Sequence, residues 1–70
     1  MAESYRYRVN NWHRRWTVMV APSGDGLEAK TTALGREFQA PGKTAEEALA
    51  ALKAAMEKLG WFFSEPFQKG

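Results

Sequence analysis

The sequence predicts an α+β fold: a three-stranded antiparallel sheet with one C-terminal helix packed on one face. Three observations lead to this prediction. Two stretches near the N-terminus alternate apolar and polar residues with the period of two that strands show. A turn-rich segment then leads to a third such stretch. Residues 45–59 instead repeat apolar side chains every three or four positions, the period of an amphipathic helix.

The first two predicted strands form an N-terminal hairpin. The first covers residues 4–12, placing Tyr5, Tyr7 and Val9 inward and Arg6, Arg8 and Asn10 outward. The second covers residues 14–22, placing Trp16, Val18 and Val20 inward and Arg15, Thr17 and Met19 outward. The intervening NNWH is typical of a turn, because asparagine tolerates positive φ at little cost.

A second turn, PSGDG at residues 22–26, leads to the third predicted strand over residues 27–40. Alternation places Leu27, Ala29 and Thr31 inward and Glu28, Lys30 and Thr32 outward. Because glycine inside a strand often marks an irregularity, we expect a bend or bulge near Gly35.

The helix is predicted over residues 45–59. Thr44 and Glu47 have the spacing of a capping box, in which the threonine hydroxyl and the glutamate satisfy backbone amides reciprocally. The apolar stripe comprises Ala45, Ala48, Leu49, Leu52, Ala55, Met56 and Leu59. Gly60 is suited to end the helix in a left-handed conformation.

The remaining residues, 61–70, form an aromatic tail. Three alternatives are open: a short fourth strand, packing beneath the helix end, or docking on a partner. The predicted partner or dimer contacts are Trp61, Phe62, Phe63 and Phe67. Such a concentration of aromatic rings is seldom left in water without a role.

Length and composition predict one domain over residues 1–70, with the sheet at about 4–40. The sequence has no cysteine, which excludes disulfides and thiolate metal sites. It also has no apolar run of about 18 residues and no N-terminal apolar segment of the signal-peptide kind. We therefore expect a cytoplasmic location and no contact with membranes.

Residues Gly42-Lys43-Thr44 resemble the end of a nucleotide-binding loop, which also leads into a helix. That loop needs an earlier glycine at position 37, where this sequence has Glu37, and Pro41 removes an amide that a phosphate cradle would use. The plainer interpretation is that Gly42 turns the chain, Thr44 caps the helix and Lys43 is surface.

Catalytic patterns are equally sparse. His13 is the single histidine, the serines lie in tail or turn contexts, and no spacing typical of zinc or calcium ligands occurs. We expect no enzymatic activity, no metal, no cofactor and no small-molecule substrate.

Charge is the most informative functional feature. The net charge is +2, yet residues 1–20 hold four arginines against Glu3 alone. Such asymmetry is typical of polyanion binding, and a sheet can present arginines to nucleic acid. The predicted binding residues are Arg6, Arg8, Asn10, Trp12, His13, Arg14, Arg15, Thr17 and Lys30. Alternatively, the aromatic residues are core and the arginines are edge charges that deter aggregation.

The spacing of Tyr5, Arg6 and Trp16, followed by Leu34-Gly35, Phe38 and TAEEALAAL, resembles two groups of DNA-binding domains: the plant ethylene-response type and the arm-site-binding domains of phage integrases. This resemblance implies a three-stranded sheet in the major groove with the helix packed behind. The segment 40–57 also resembles the N-terminal domain of HicB-type antitoxins, which implies neutralisation of a partner toxin through protein contacts.

Together these features predict a small non-enzymatic binding module, of the kind carried by phages and mobile elements, that binds nucleic acid through the exposed sheet face. The alternative is an inhibitor or antitoxin-like module that binds a partner protein through that face or through the aromatic tail. A homodimer is compatible with either.

Overall fold

The computed structural model describes residues 3–10, 13–33, 35–64 and 66–69. These residues form a five-stranded antiparallel sheet and one helix. The elements in chain order are β1 (Glu3–Tyr7), β2 (Trp16–Ser23), β3 (Gly26–Ala33), β4 (Arg36–Gly42), α1 (Ala45–Glu57) and β5 (Gln68–Lys69). The strand order across the sheet is β4-β3-β2-β1-β5. The α+β class is confirmed, and the predicted three strands become five.

The predicted third strand is in fact two strands joined by a tight turn. Ala33 pairs with Arg36, and Gly35 between them has φ +77°, which favours glycine because it lacks a Cβ. The expected bulge is therefore a reversal of the chain. The inward-facing positions are consistent with this reversal, since they are odd-numbered in β3 up to Ala33 and even-numbered in β4 from Phe38 onward. The PSGDG turn is confirmed, with Ser23 paired to Gly26.

The first strand is shorter than predicted because the chain changes partner after Tyr7. Tyr7 pairs with Trp16, whereas Val9 forms a bridge with Phe63 in the tail. Asn10, one residue beyond that bridge, has φ +52°, a positive value that asparagine tolerates, as expected. The connection between β1 and β2 consequently spans residues 8–15, and the tail returns as β5 along β1.

The helix begins as predicted. The Glu47 amide donates to the Thr44 side-chain oxygen at 3.2 Å, one half of the capping box. At the other end Gly60 has φ +88°, the Gly60 amide donates to the Glu57 carbonyl, and the Trp61 amide donates to the Met56 carbonyl. These two bonds constitute a Schellman motif, which ends the helix two residues earlier than predicted.

Two elements share the task of covering the inner face of the sheet. The helix buries Ala48, Leu49, Leu52 and Met56, mainly against β4 and β3. The tail covers the β1 side, where the rings of Phe63 and Phe67 lie 5.2 and 5.4 Å from the ring of Tyr7. Ala55 and Leu59 were predicted in the buried stripe but are exposed, and Leu59 lies beyond the end of the helix.

Candidate nucleic-acid interface

The candidate interface is the sheet face that α1 and the tail leave uncovered, here called the open face. Alternate residues of each strand point to this face, and the register aligns them in rows across the strands. One row comprises Ser4, Met19, Lys30 and Gln39, and the neighbouring row comprises Gln68, Arg6 and Thr17. Within the part of the chain that the structure describes, no helix or strand covers these rows.

A shallow groove of 810 Å³ runs over β2, β3 and β4 on the open face. Its polar lining comprises Arg14, Arg15, Thr17, Lys30, Thr31, Thr32, Glu37 and Gln39. Arg14 and Arg15 lie at one end of the groove because the connection that carries them enters β2 there. The groove therefore combines a cationic end with hydrogen-bonding side chains along its length.

Among the described residues, no aromatic ring is exposed on the open face, and Trp16 and Phe38, which contribute to the groove lining, are both buried. Trp16, Tyr7 and Phe38 alternate to the inner face and are buried there. Its largest exposed apolar side chain is Met19, which is 44% exposed. A ligand on this face would consequently be recognised by charge and hydrogen bonds, without the ring stacking that unpaired bases use.

Charges on the strands of the open face are balanced rather than uniformly positive. The Lys30 ammonium lies 3.4 Å from the Glu28 carboxylate, and Glu37 accompanies Arg6 as a further charged residue of the face. The excess of cations comes from the connection, where Arg14 and Arg15 are exposed. Positive potential is therefore strongest at that end of the groove.

The predicted site residues separate into three groups. Arg6, Thr17 and Lys30 lie exposed on the open face, as alternation predicts. His13, Arg14 and Arg15 are exposed in the connection that precedes β2, although Arg14 and Arg15 were expected within the strand itself.

The third group lies beyond the end of β1 or outside the described residues. Arg8 is half-buried, and its carbonyl accepts from the Ser64 amide at 2.9 Å. Asn10 is exposed but engaged with the tail, because its side-chain oxygen accepts from the Phe62 amide at 2.9 Å. Trp12 falls outside the described residues. The strand predicted over residues 4–12 grouped Arg8 and Asn10 with Arg6, whereas β1 ends at Tyr7 and leaves both residues outside the strand.

The tail aromatics have unequal exposure. Trp61 packs against Phe38 at 5.3 Å between ring centroids, and Phe63 and Phe67 pack against each other and Tyr7. Phe62 is 60% exposed. Of the four predicted partner contacts, Phe62 is thus the one that presents most of its ring to solvent.

Three exposed polar residues of the groove were missed by the sequence prediction: Thr32, Glu37 and Gln39. Glu37 and Gln39 belong to β4, which the prediction merged with the preceding strand. The switch of apolar residues from odd to even positions around Gly35 indicates an irregularity there, but it does not by itself separate β4 from the preceding strand.

A buried hydrogen-bond chain fixes the inner face behind the groove. The Tyr7 hydroxyl lies 2.7 Å from the Thr31 hydroxyl, which donates to the Thr17 carbonyl at 2.8 Å. Thr31 thereby accepts from Tyr7, so both buried hydroxyl groups have a hydrogen-bond partner. Burial raises the pKa of Tyr7, and the hydrogen bond to Thr31 opposes that rise.

An exposed ion pair ties the last strand to the first. The Lys69 ammonium lies 2.6 Å from the Glu3 carboxylate. The hydrogen bond and charge of Lys69 lower the pKa of Glu3, and Glu3 in turn raises the pKa of Lys69. This pair lies on the inner side of the β1–β5 edge and is separate from the groove.

Gly42 of the Gly-Lys-Thr sequence has a packing role. It is the last residue of β4 and pairs with Leu27, so it does not turn the chain as expected. A methyl group on Gly42 would lie 2.7 Å from the Ala48 Cα and 2.8 Å from the Glu47 carbonyl carbon. Glycine is needed here because the first turn of α1 passes directly over the strand.

Among the described residues, no group of three histidine, aspartate or glutamate side chains could hold a metal ion. The same residues include no helix of the length and hydrophobicity that crossing a membrane requires. Comparison of the chain with protein-family models, with curated proteins and with solved structures finds no match.

Proposed function

We propose that this domain is a non-enzymatic binding module of the phage or mobile-element kind that binds nucleic acid through its open face. The observation that carries the proposal is the groove on an uncovered sheet face with Arg14 and Arg15 at one end. Lys30 and Arg6 add two cations along the strands, and Thr17 and Gln39 supply hydrogen-bonding groups between them.

The chemistry of this surface suits the backbone and groove edges of a duplex. Arginine and lysine neutralise phosphates, and arginine and glutamine side chains can also pair with base edges in the major groove. Because Trp16 and Phe38 of the groove lining are buried, the described part of the open face offers no exposed ring for the stacking that single strands use. We therefore expect duplex to bind more tightly than a single strand of the same length.

Salt dependence provides the quantitative test. If Arg6, Arg14, Arg15 and Lys30 each contact one phosphate, the slope of log Kd against log salt concentration for a duplex should have a magnitude of about 3 to 4, at about 0.9 per contact. Fluorescence anisotropy of a short labelled duplex, titrated at several salt concentrations, measures this slope.

A matched pair of variants locates the contacts. Arg14→Gln with Lys30→Gln removes two cations from the groove and should reduce the slope by about 2. Lys43→Gln with Lys58→Gln removes the same charge from exposed positions off the open face and should leave the slope within about 0.5 of the original. Equal effects of the two double variants would show non-specific attraction to the whole domain. No binding of duplex or single strand at low salt would refute the proposal.

A protein target is the alternative, in the manner of an inhibitor or antitoxin. The balanced charges of Glu28, Lys30, Arg6 and Glu37 and the exposed Met19 favour it, since interfaces between proteins combine apolar and mixed polar surface. Such an interface responds little to salt. Retention of a host protein that survives high salt, and that Met19→Ser abolishes, would support this alternative over nucleic acid.

A further inference from the structure

Opposite ends of the domain, taken along the strand direction, carry opposite charge. We call residues 8–10, 13–16, 35–38 and 57–64 the basic end and residues 21–28 and 40–50 the acidic end. Among the described residues, the basic end holds Arg8, Arg14, Arg15, Arg36 and Lys58 against Glu37 and Glu57. The acidic end holds Asp25, Glu28, Glu46 and Glu47 against Lys43. The antiparallel connections bring each set together, because alternate turns fall at the same end of the sheet.

The basic end also presents two exposed apolar side chains, Leu59 and Phe62, here called the plug. They are 54% and 60% exposed. The backbone of Phe62 is held in a defined position, because Asn10 both donates its amide to the Phe62 carbonyl and accepts from the Phe62 amide through its side chain. An ordered backbone reduces the conformational entropy lost on binding, which favours a role of Phe62 in an interface.

The acidic end contains a complementary depression of 720 Å³, here called the end groove, between the β2–β3 turn and the start of α1. Its apolar lining comprises Leu27, Pro41, Ala50 and Ala51. Asp25 and Glu47 line it as well, together with Lys43. An apolar depression with net negative surroundings fits an apolar group that is accompanied by cations.

We propose that copies of this domain associate head to tail, with the plug of one copy seated in the end groove of the next. The two surfaces match in both respects that matter, since each has an apolar centre and the surrounding charges are opposite in sign. The plug and the end groove lie at opposite ends of one molecule whose longest dimension is 34 Å, so the plug of a copy cannot bind the end groove of the same copy. A second copy is therefore the occupant that the molecule itself specifies.

An interface between two different surfaces has a distinctive consequence. It leaves one plug and one end groove unfilled in every assembly that does not close into a ring, so growth continues as concentration rises. A symmetric dimer would instead stop at twice the mass of one chain. Sedimentation velocity or light scattering distinguishes head-to-tail growth from a symmetric dimer. The protein concentration should run from about 10 μM to about 1 mM, the range in which small interfaces associate.

Single-surface variants test each side of the contact. Phe62→Ser with Leu59→Ser removes the plug, and Ala50→Arg places a bulky cation in the end groove. Both are expected to fold, because all three side chains are exposed. Each should weaken self-association at least about tenfold, as loss of a central interface residue does. Ala54→Arg, an exposed position one turn further along α1 and outside the end groove, is the matched control and should associate like the wild type.

Mixing the two defective variants gives the decisive measurement. The plug variant retains an end groove and the Ala50→Arg variant retains a plug, so together they should form one-to-one dimers that grow no further. Circular dichroism confirms that each variant is folded. The proposal is overturned if the wild type stays monomeric up to about 1 mM, if its mass levels off at that of a dimer, or if mixing gives no dimer.

Discussion

Replacement of Gly42 by alanine tests the most tightly specified contact in the fold, the passage of α1 over the end of β4. The added methyl group would meet the Ala48 Cα at 2.7 Å and the Glu47 carbonyl carbon at 2.8 Å, and the Ala48 nitrogen closer still. All three atoms belong to the helix backbone, so no side chain can rotate away. The strand and the helix must instead separate, which disrupts the packing of Ala48 and Leu52 against the sheet.

The expected cost follows from this geometry. Overpacking a core costs typically about 1–3 kcal/mol when side chains can adjust, and a clash between two backbones belongs at or above the upper limit. We expect a loss of about 3 kcal/mol or more. A domain of this size has only about 3–5 kcal/mol of stability, so most of it would disappear. The midpoint of thermal unfolding should fall by about 12–24 °C, at roughly 4–8 °C per kcal/mol.

Urea denaturation followed by tryptophan fluorescence measures the change in unfolding free energy. Gly24→Ala is the matched control, because Gly24 has φ +60° with nothing within 4 Å of an added methyl group. Gly24→Ala should lower the free energy of unfolding only by the strain of a left-handed backbone conformation at alanine, about 1–2 kcal/mol. If Gly42→Ala were no more destabilising than Gly24→Ala, the close approach of helix and strand would not be the reason for glycine at position 42.

Two further predictions concern the core. Leu52→Ala should cost about 2–5 kcal/mol because the side chain is fully buried, whereas Leu59→Ala should change stability by less than about 0.5 kcal/mol because that side chain is more than half exposed. Similar urea midpoints for the two variants would contradict the assigned helix face. The raised pKa of Tyr7, caused by burial, means that the unfolded chain releases this proton first. The contribution of Tyr7 to the free energy of unfolding should therefore be fully present below about pH 10 and be lost as pH rises through the Tyr7 pKa. Tyr7→Phe should reduce the alkaline decline in stability to the part that the raised pKa of Lys69 contributes, and Tyr5→Phe should leave the share due to Tyr7 in place, as thermal unfolding at a series of pH values would show.

The helix illustrates what local sequence can predict well. Its start depends on Thr44 and the Glu47 amide, three residues apart, and its end depends on the left-handed conformation of Gly60. These contacts lie within one turn of helix, so the residue types alone specify them. The predicted end was two residues late because the Schellman bonds from Gly60 and Trp61 close the final turn earlier.

The sheet illustrates where local patterns are ambiguous. A glycine between two alternating stretches fits a bulge and a hairpin alike, since both switch the inward-facing residues from odd to even positions. Leu27 and Ala29 are inward at odd positions, and Phe38 and Ala40 are inward at even positions. This change indicates an irregularity near Gly35, but only the pairing of β3 with β4 shows that the chain reverses there and places Glu37 and Gln39 in the groove.

The open face was partly predictable from the alternation of residues along the strands. Arg6, Thr17 and Lys30 follow from alternation in strands that were correctly identified, so their common face needed no tertiary information. Arg8 and Asn10 could not be placed in this way, because their partners Ser64 and Phe62 are more than fifty residues further along the chain.

The sequence by itself determined the α+β class, the capped helix, the PSGDG turn and the alternating faces of the strands. Each of these depends on contacts between residues that are near one another in the chain, where residue type and period are sufficient. Only the tertiary structure decided that the tail returns to pair with β1 and that opposite charges gather at opposite ends of the domain. Those features depend on contacts between distant segments, and the free energy of such contacts depends on burial that no local pattern records.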